Sequence, residues 1–441
     1  MHRVNPESQL VRVIGPRQLT AAIINVTIGA GIFVLPAQVA AGLGPAGPIA
    51  YLACGTLMTL IVLCFASAGS RVSLTGGLYS YIEVAFGGFP GFIGGVLYWA
   101  TACFSVATVA AAFAASLGVI WSPLGLGLPR AIVLAMLFAG LAFVNIRGVK
   151  PGVRLVETIT AAKLLPLLVL IGVGVWSINP AYLKMELPGL SQVGQVMIVL
   201  IFAFVGIEVA LMPSGEVKDP ARTIPRAILT ALAITTLIYL AIHAVAQGVL
   251  GPDLAKYADA PLAEAAGRLL GRAGKALVLI GGTVSMFGYV SGDMLGTPRA
   301  LFALGRDGAL PGALAKVHPH YRTPAVAIVT YALIVATLAI SSTFAQLVVL
   351  ANVSGLLLYL MCVAASYELK RRDVRMAGTP FTLPGGVLIQ LLAGAGIVWL
   401  IAQATAREFQ IEAAVLAVAS GYYLLRRKSM RRLAASSTSS A

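Results

Sequence analysis

The sequence predicts an all-α polytopic membrane protein with about twelve transmembrane helices. Of its 441 residues, 59% are hydrophobic and only 11% are charged, and the mean hydropathy is +0.92. A soluble domain carries about 25% charged residues to keep its surface wetted. Apolar runs long enough to cross a bilayer as helices recur along the chain. Alternating strand patterns are absent, which excludes an outer-membrane barrel.

Twelve apolar segments have the length of a membrane span. In order, they are 18–41, 47–69, 89–118, 129–147, 153–177, 193–215, 226–250, 274–303, 324–343, 345–368, 384–404 and 409–425. The connections between them are short, so no separate soluble domain is expected. The longest outer loop, 251–273, includes a stretch at 261–266 that is typical of an amphipathic surface helix.

The distribution of basic residues predicts the orientation of the spans. Twenty-three of the 31 Lys and Arg residues fall on the side of the N-terminus, seven on the other side, and Lys163 lies within a span. Because short cytoplasmic loops are enriched in bases, both termini are predicted to be cytoplasmic, in a cell (inner) membrane. The predicted regions are a cytoplasmic N-terminus (1–17), a transport core (18–368), two further spans (384–425) and a basic, disordered tail (426–441).

The composition also excludes several other classes of function. A net charge of +15 would point to nucleic acid in a soluble protein, but here the bases set topology, so the expected partner is the lipid bilayer. The four cysteines lie inside apolar runs without metal-ligand spacing and are interpreted as packing residues. No cofactor, metal site or enzyme activity is predicted, and the oligomeric state stays open.

Two spans are interrupted at comparable places. Segment 18–41 contains Ile28-Gly29-Ala30-Gly31-Ile32 in its middle, and segment 193–215 contains Phe204-Val205-Gly206-Ile207-Glu208. These are the first and sixth spans, and an odd spacing means that the second copy enters the membrane from the opposite face. Paired interruptions of this kind are typical of inverted-repeat transporters, whose ligand binds at the midplane between broken helices.

Short motifs spread over residues 18–326 carry a family resemblance. They are Gly29-Ala30-Gly31-Ile32-Phe33, Gly76-Gly77-Leu78-Tyr79-Ser80-Tyr81, Ala85-Phe86-Gly87, Asn145-Ile146-Arg147-Gly148-Val149-Lys150, Lys163-Leu164-Leu165-Pro166, Phe202-Ala203-Phe204-Val205-Gly206-Ile207-Glu208, Glu216-Val217-Lys218-Asp219-Pro220, Thr223-Ile224-Pro225-Arg226, Pro298-Arg299 and Arg306-Asp307-Gly308-Ala309-Leu310-Pro311. In this order they resemble the amino acid–polyamine–organocation superfamily, specifically a bacterial amino acid permease. The resemblance implies a 5+5 inverted-repeat core with discontinuous spans 1 and 6, and alternating access. One departure is Ala66-Ser67-Ala68-Gly69-Ser70, where the family often has an acidic residue.

An amino acid zwitterion at the midplane needs two opposite partial charges placed close together. A broken helix supplies them, because helix starts present free N–H groups and helix ends present free carbonyls. The backbone around Gly29, Ala30, Gly31 and Ile32 is therefore predicted to bind the substrate carboxylate, with glycine allowing close approach. The ammonium group is assigned to carbonyls near Ile28 and in the span 6 break, whose predicted substrate-binding residues are Phe202, Ala203, Phe204, Gly206 and Ile207.

The side chains of the predicted site are less well determined than its backbone. Phe204 is the candidate gate over the bound substrate, with an ordinary core aromatic as the alternative. Candidates for the side-chain pocket are Val26, Thr27, Val205, Ile207, Ser285 and Tyr289. Because so many of them are apolar, neutral substrates are favoured.

Four ionisable residues lie within spans, where a charge costs about 2.5–3.5 kcal/mol or more. Glu157 is explained by pairing with Arg154 or Lys150. Lys163, Glu208 and Asp293 are the candidates for proton coupling. Glu208 would accept hydrogen bonds from the unwound backbone or sense protonation. Asp293 would face the site, pair with Lys163, or be capped by Arg299.

Lys163 is the strongest coupling candidate, with a snorkelling lysine as the alternative. Burial favours the neutral amine over the charged ammonium, so the residue could carry a proton in the working pH range. The family resemblance implies that Lys163 stands where sodium-dependent relatives bind sodium, and hence that transport is sodium-independent.

The predicted function is secondary active transport of amino acids by proton-coupled symport. The first alternative is an antiporter that exchanges an amino acid for another amino acid or an amine. The second is a membrane receptor or subunit that does not transport, which the broken helices disfavour because unwound backbone in a membrane serves a cavity.

Overall fold

The computed structural model describes residues 15–29, 31–72, 74, 77–147, 153–208, 217–306, 310–376 and 379–438, and gives only the backbone of 153–162, 303, 304, 306 and 426–438. Within these ranges the chain forms α-helices and short 3-10 segments and no strand, which confirms the all-α class. The α-helices are α1 (Pro16–Thr27), α2 (Gly31–Leu43), α3 (Gly47–Arg71), α4 (Leu78–Phe86), α5 (Gly88–Ile120), α6 (Gly127–Ile146), α7 (Val153–Gly174), α8 (Leu190–Leu200), α9 (Pro220–Leu250), α10 (Pro261–Arg306), α11 (Ala325–Ser341), α12 (Phe344–Arg371), α13 (Val387–Ile401) and α14 (Ala406–Thr438).

Fewer helices reach spanning length than the twelve apolar segments predict. Six helical stretches of the described chain are long and apolar enough to cross a membrane, and they are Gly31–Arg71, Gly88–Ile120, Gly127–Ile146, Pro220–Lys256, Pro261–Phe302 and Phe344–Arg371. Three shorter apolar helices are Lys163–Ser177, Leu190–Phe204 and Ala325–Ser341. The helices Val387–Ile401 and Ala406–Leu425 form a pair bent by 113°. Part of the difference arises at the two interruptions, because a broken span leaves pieces shorter than the bilayer, and Gly31–Arg71 joins α2 to the second predicted span.

The connections contain two helices that matter for the topology. The predicted surface helix of the outer loop is present as the first part of α10, which is interrupted at Gly271, where φ is +66°. An ion pair between Lys275 and Glu264 joins the two sides of this interruption. The second, α4, is a short helix between the second and third spans that the sequence did not predict.

The broken spans lie among the longer helices. α3 packs along α9, and α1 also packs on α9. α5 lies against α12 and α10, and α10 also contacts α7. The two half-helices that follow the first interruption and precede the second, α2 and α8, pack against each other. This arrangement brings interruptions that are about 170 positions apart in sequence into contact.

The end of α3, where the acidic residue of related proteins is missing, is held by the segment after α12. The Ser70 hydroxyl accepts a hydrogen bond from the Phe381 amide at 2.9 Å. The Met376 amide donates to the carbonyl of Arg71, whose guanidinium lies 3.6 Å from the Asp373 carboxylate. These contacts tie the end of the second span to the connection between α12 and α13.

Candidate functional site

The first interruption separates α1 from α2. α1 ends at Thr27, and the Gly29 amide then turns back to the Thr27 carbonyl at 2.8 Å. α2 begins again at Gly31. The first amides of α2 have no carbonyl one turn earlier in a helix to bind, so they form a cluster of donors at a positive helix end. Of the predicted cradle, Ala30 lies outside the described residues.

The second interruption follows α8. The chain tightens into a 3-10 turn over Ile201–Phe204 and becomes extended at Val205, where ψ is 143°. Gly206 then adopts a φ of +107°, which a residue with a side chain rarely adopts. The backbone therefore departs from helical geometry at the residues where the motif predicted an interruption. Residues 209–216 lie outside the described part of the chain.

The two interruptions touch one another. A Cβ atom placed on Gly31 would lie 3.3 Å from the Cα of Ala203 and 3.5 Å from the ring of Phe202. A Cβ atom on Gly206 would lie 2.9 Å from the Val26 side chain. The structure thus brings the predicted carboxylate cradle and the predicted ammonium ligands together in one place.

Tyr239 on α9 joins both interruptions, and sequence reasoning missed it. Its hydroxyl is fully buried and lies within hydrogen-bond distance of two carbonyl oxygens, those of Thr27 at 2.8 Å and Ala203 at 2.7 Å, which share its single proton. These carbonyls lie at the two breaks, where the regular helical pairing ends, and the Thr27 carbonyl also accepts from the Gly29 amide. Its only sequence signal is a lone tyrosine inside an apolar span. Because Ala203 and Phe202 already accept hydrogen bonds, Ile28 and Phe204 remain the stronger candidates for the ammonium group.

The two phenylalanines of the second interruption have different surroundings. The Phe204 ring is fully buried and packs edge-on against Tyr239, with 5.4 Å between ring centroids. The Phe202 ring lies beside Gly31 instead. The predicted gate, Phe204, is therefore in the position of its core alternative, and Phe202 is the aromatic ring next to the cradle.

Lys163 lies on α7 and is buried. Its ammonium nitrogen donates a hydrogen bond to the backbone carbonyl of Asn25, which belongs to α1 two residues before that helix ends. The contact links the fifth predicted span directly to α1, the first of the two helices of the first span. A snorkelling lysine keeps its charged head in water, whereas this side chain is buried and bound to a backbone carbonyl.

The carboxylate of Glu208 binds the backbone of the second interruption. One of its carboxylate oxygens accepts hydrogen bonds from the Gly206 amide at 3.1 Å and from the Tyr359 hydroxyl at 2.6 Å. Tyr359 belongs to α12. The predicted contact with unwound backbone is present, and it connects the sixth span to the tenth.

Asp293 has partners that the sequence did not indicate. It accepts hydrogen bonds from the Thr297 hydroxyl at 2.7 Å and from the Tyr331 hydroxyl of α11. The Arg299 guanidinium donates to the Leu295 carbonyl of its own helix. Among the described side chains, Asp293 is therefore bound neither to Lys163 nor to Arg299. The side chain of Glu157 lies outside this description.

Several pocket candidates are close to the interruptions. The Tyr289 ring lies 3.8 Å from the position of a Cβ on Gly29. The hydroxyls of Thr27 and Ser285 are buried and have no hydrogen-bond partner among the described residues. A cavity of about 350 Å³ lies between α2 and α8 and ends near Leu35, which contacts Gly31. Three of its lining residues are Gln38, Gln192 and Gln195.

Paired broken helices that meet around unwound backbone define a membrane transport protein rather than an enzyme. Comparison with known proteins agrees. The sequence profile of the amino acid permease family matches residues 14–422. The chain belongs to this family, and the resemblance drawn from its motifs is confirmed.

Three curated relatives are 27–31% identical to the chain over the aligned stretches. The serine/threonine exchanger SteT of Bacillus subtilis is 31% identical over 73% of this chain and 75% of its own length. The methylthioribose transporter of the same organism is 30% identical over 71% of this chain and 72% of its own. The branched-chain amino acid permease BcaP, also from Bacillus subtilis, is 27% identical over 88% and 87%. All three are described as transport proteins.

Proposed function

We propose that the protein is a secondary active transporter that moves neutral amino acids across the cytoplasmic membrane by proton-coupled symport, with both termini in the cytoplasm. The observation that carries the proposal is the contact between the two helix interruptions at Gly31 and Ala203. Free amides from α2 and free carbonyls from both breaks meet there without a charged side chain. A zwitterion satisfies both sets at once.

Alternating access follows from how the interruptions are held. α1 and α2 are separate helices, so the inner half of the first span can tilt while the outer half stays in place. Lys163 and Tyr239 both bind carbonyls near the end of α1. Movement of that half breaks these contacts, and breaking them exposes the site to the cytoplasm. Phe202, beside Gly31, is the ring that closes over substrate from the outer side.

Lys163 is proposed to couple this movement to protons. While its amine is buried against the Asn25 carbonyl, it is isolated from water. When the inner half of the first span moves away, the amine meets water and changes its protonation. A lysine suits this role because its charge responds to burial, whereas arginine stays charged.

Exchange is the second candidate, favoured by one specific relative. SteT, at 31% identity, is described as a serine/threonine exchanger. An exchanger uses the same broken helices, but it returns to its starting conformation only with a substrate bound. Its substrates would be hydroxylated, and the unpartnered hydroxyls of Thr27 and Ser285 would suit such side chains.

Uptake by purified protein in vesicles separates these possibilities. The substrate is first identified by the thermal shift that each of the twenty amino acids produces. Symport predicts accumulation of that amino acid in empty vesicles when the outside is made acidic. Exchange predicts uptake only into preloaded vesicles. Absence of uptake under both conditions would contradict transport altogether and favour a receptor.

Sodium should have no effect on uptake. The ammonium of Lys163 is bound to a backbone carbonyl of α1, and carbonyl oxygens are the ligands that a bound sodium ion would require. We expect initial uptake to be unchanged when external sodium is replaced by potassium or by choline. The choline arm controls for a nonspecific requirement for an alkali metal ion. A steep dependence on sodium would show that Lys163 does not take the place of the ion.

Replacing Tyr239 with phenylalanine should slow transport without unfolding the protein. The change removes the hydroxyl that binds the Thr27 and Ala203 carbonyls and keeps the ring against Phe204. A net loss of about 1.4 kcal/mol, within the usual range for hydrogen bonds, corresponds to roughly a tenfold lower uptake rate. The matched control is Tyr51→Phe, because the neighbouring Tyr51 hydroxyl has no partner among the described residues. Equal rates for the two variants would remove Tyr239 from the mechanism.

A further inference from the structure

A stripe of buried polar side chains runs along one face of α9. Its members are spaced by four residues, which places them on one side of a helix, and they are Thr235, Tyr239, His243 and Gln247. Tyr51 of α3 packs between two of them, with its ring centroid 6.4 Å from Tyr239 and 5.0 Å from His243. The stripe passes the two helix interruptions at Tyr239 and ends at Gln247, which contacts the Tyr182 carbonyl.

Most of this stripe lacks hydrogen-bond partners among the described residues. Unpaired atoms are both ring nitrogens of His243, the hydroxyls of Tyr51 and Thr235, and the side-chain oxygen of Gln247. Buried polar atoms in proteins are nearly always paired, so five unpaired atoms along one line need an explanation. His243 is the member of a residue type whose unperturbed side chain changes charge near neutral pH.

The start of α3 covers His243, with Val39 of α2 next to it. Gly47, the first residue of α3, lies so close that a Cβ placed on it would be 2.1 Å from the Nε2 atom of His243 and 2.8 Å from Val39 of α2. One turn further along α9, the Gln247 amide donates to the Tyr182 carbonyl of an outer loop at 3.4 Å. Separation of α2 from α3 would therefore uncover the imidazole.

Neither ring nitrogen of His243 has a hydrogen-bond acceptor among the described residues, so no partner for a positive charge is found there. Within the described part of the chain, the titratable side chain in ring contact with it is Tyr51 of α3, which also contacts Tyr239 and has Cys54 beside it. α2 contributes the apolar Val39. In the neighbouring segment Gly251–Lys256, the carboxylate of Asp253 is already bound by Lys256 at 2.8 Å and by Arg268 at 3.2 Å.

We propose that His243 is a second protonation site, through which the pH of the outer solution controls the opening of the transporter. The closed arrangement holds the neutral imidazole, because an imidazolium there would have two donors and no acceptor. The arrangement with α2 moved away admits water and accepts the proton. Acid outside therefore favours the outward-open state. The proton enters and leaves on the outer side, so the site regulates transport and carries no charge across the membrane.

This inference rests on the alternating access of the proposed function, and it is tested without substrate. Val39 is replaced by cysteine as a reporter, because it is buried beside His243 and the four native cysteines are also buried. Right-side-out vesicles with an internal pH of 7.5 are treated outside with a membrane-impermeant methanethiosulfonate reagent. The labelling rate is divided by the rate of the same reporter in a His243→Asn background, which cancels the pH dependence of the thiol.

We expect this ratio to rise at least about fivefold when the outer pH falls from 7.5 to 5.5, the lower end of usual allosteric coupling. The Thr235→Val variant changes the same stripe without removing a titratable group, and its labelling ratio should rise as it does in the protein with Thr235. If His243→Asn does not fold, His243→Gln replaces it as the reference. A ratio that stays constant in a protein that transports would overturn this inference alone. A rising ratio in a protein without uptake would contradict the proposed function and leave the pH-controlled opening in place.

Discussion

Replacing Gly31 with valine should reduce transport to background while the protein still reaches the membrane. Even a single added carbon would lie 3.3 Å from the backbone of Ala203 and 3.3 Å from the Leu35 side chain. Valine adds two further methyl groups where a substrate oxygen has to meet the amides of α2. The two interruptions would be pushed apart, and the amides would be covered.

The measurement is initial uptake by vesicles that contain equal amounts of protein. Gly140→Val is the matched control, since Gly140 lies in α6 and has no atom within 4 Å of an added Cβ. It tests whether a valine in place of a membrane glycine is harmful in itself. Near-normal uptake by the Gly31 variant would contradict the assignment of the carboxylate cradle.

Replacing Lys163 with alanine should abolish accumulation driven by a proton gradient while substrate binding persists. The variant removes the titrating amine and its bond to the Asn25 carbonyl, but leaves both helix interruptions intact. Each tenfold difference in proton affinity between two conformations contributes about 1.4 kcal/mol of coupling. A hundredfold to thousandfold difference would therefore bias the conformational equilibrium by roughly 3–4 kcal/mol.

The measurement is uptake into vesicles with an acidic exterior, alongside binding by thermal shift. Lys163→Met keeps the length of the side chain and should fail as alanine does, which separates loss of the proton from loss of packing. Lys163→Arg should also fail, because arginine remains charged in every conformation. Accumulation by the alanine variant equal to wild type would transfer the coupling role to Glu208 or Asp293.

The sequence by itself determined the class of protein and the position of its helix interruptions. Low charge and repeated apolar runs require an all-helical membrane protein, because only helices satisfy their backbone there. Gly31 and Gly206 identify the breaks through a property of the residue itself. Glycine within an apolar span lets the backbone leave helical geometry, and that preference is local. Lys163 was identified because an ionisable group in lipid is costly wherever the chain folds.

Tertiary structure alone decided which residues meet at these breaks. Tyr239 is more than thirty residues from Ala203 and more than two hundred from Thr27, yet binds both carbonyls. No local pattern marks a tyrosine in an apolar span as their partner. The same holds for the different surroundings of Phe202 and Phe204, and for Tyr331 at Asp293. Periodicity and composition act between neighbours in the chain, whereas these contacts depend on how distant helices pack.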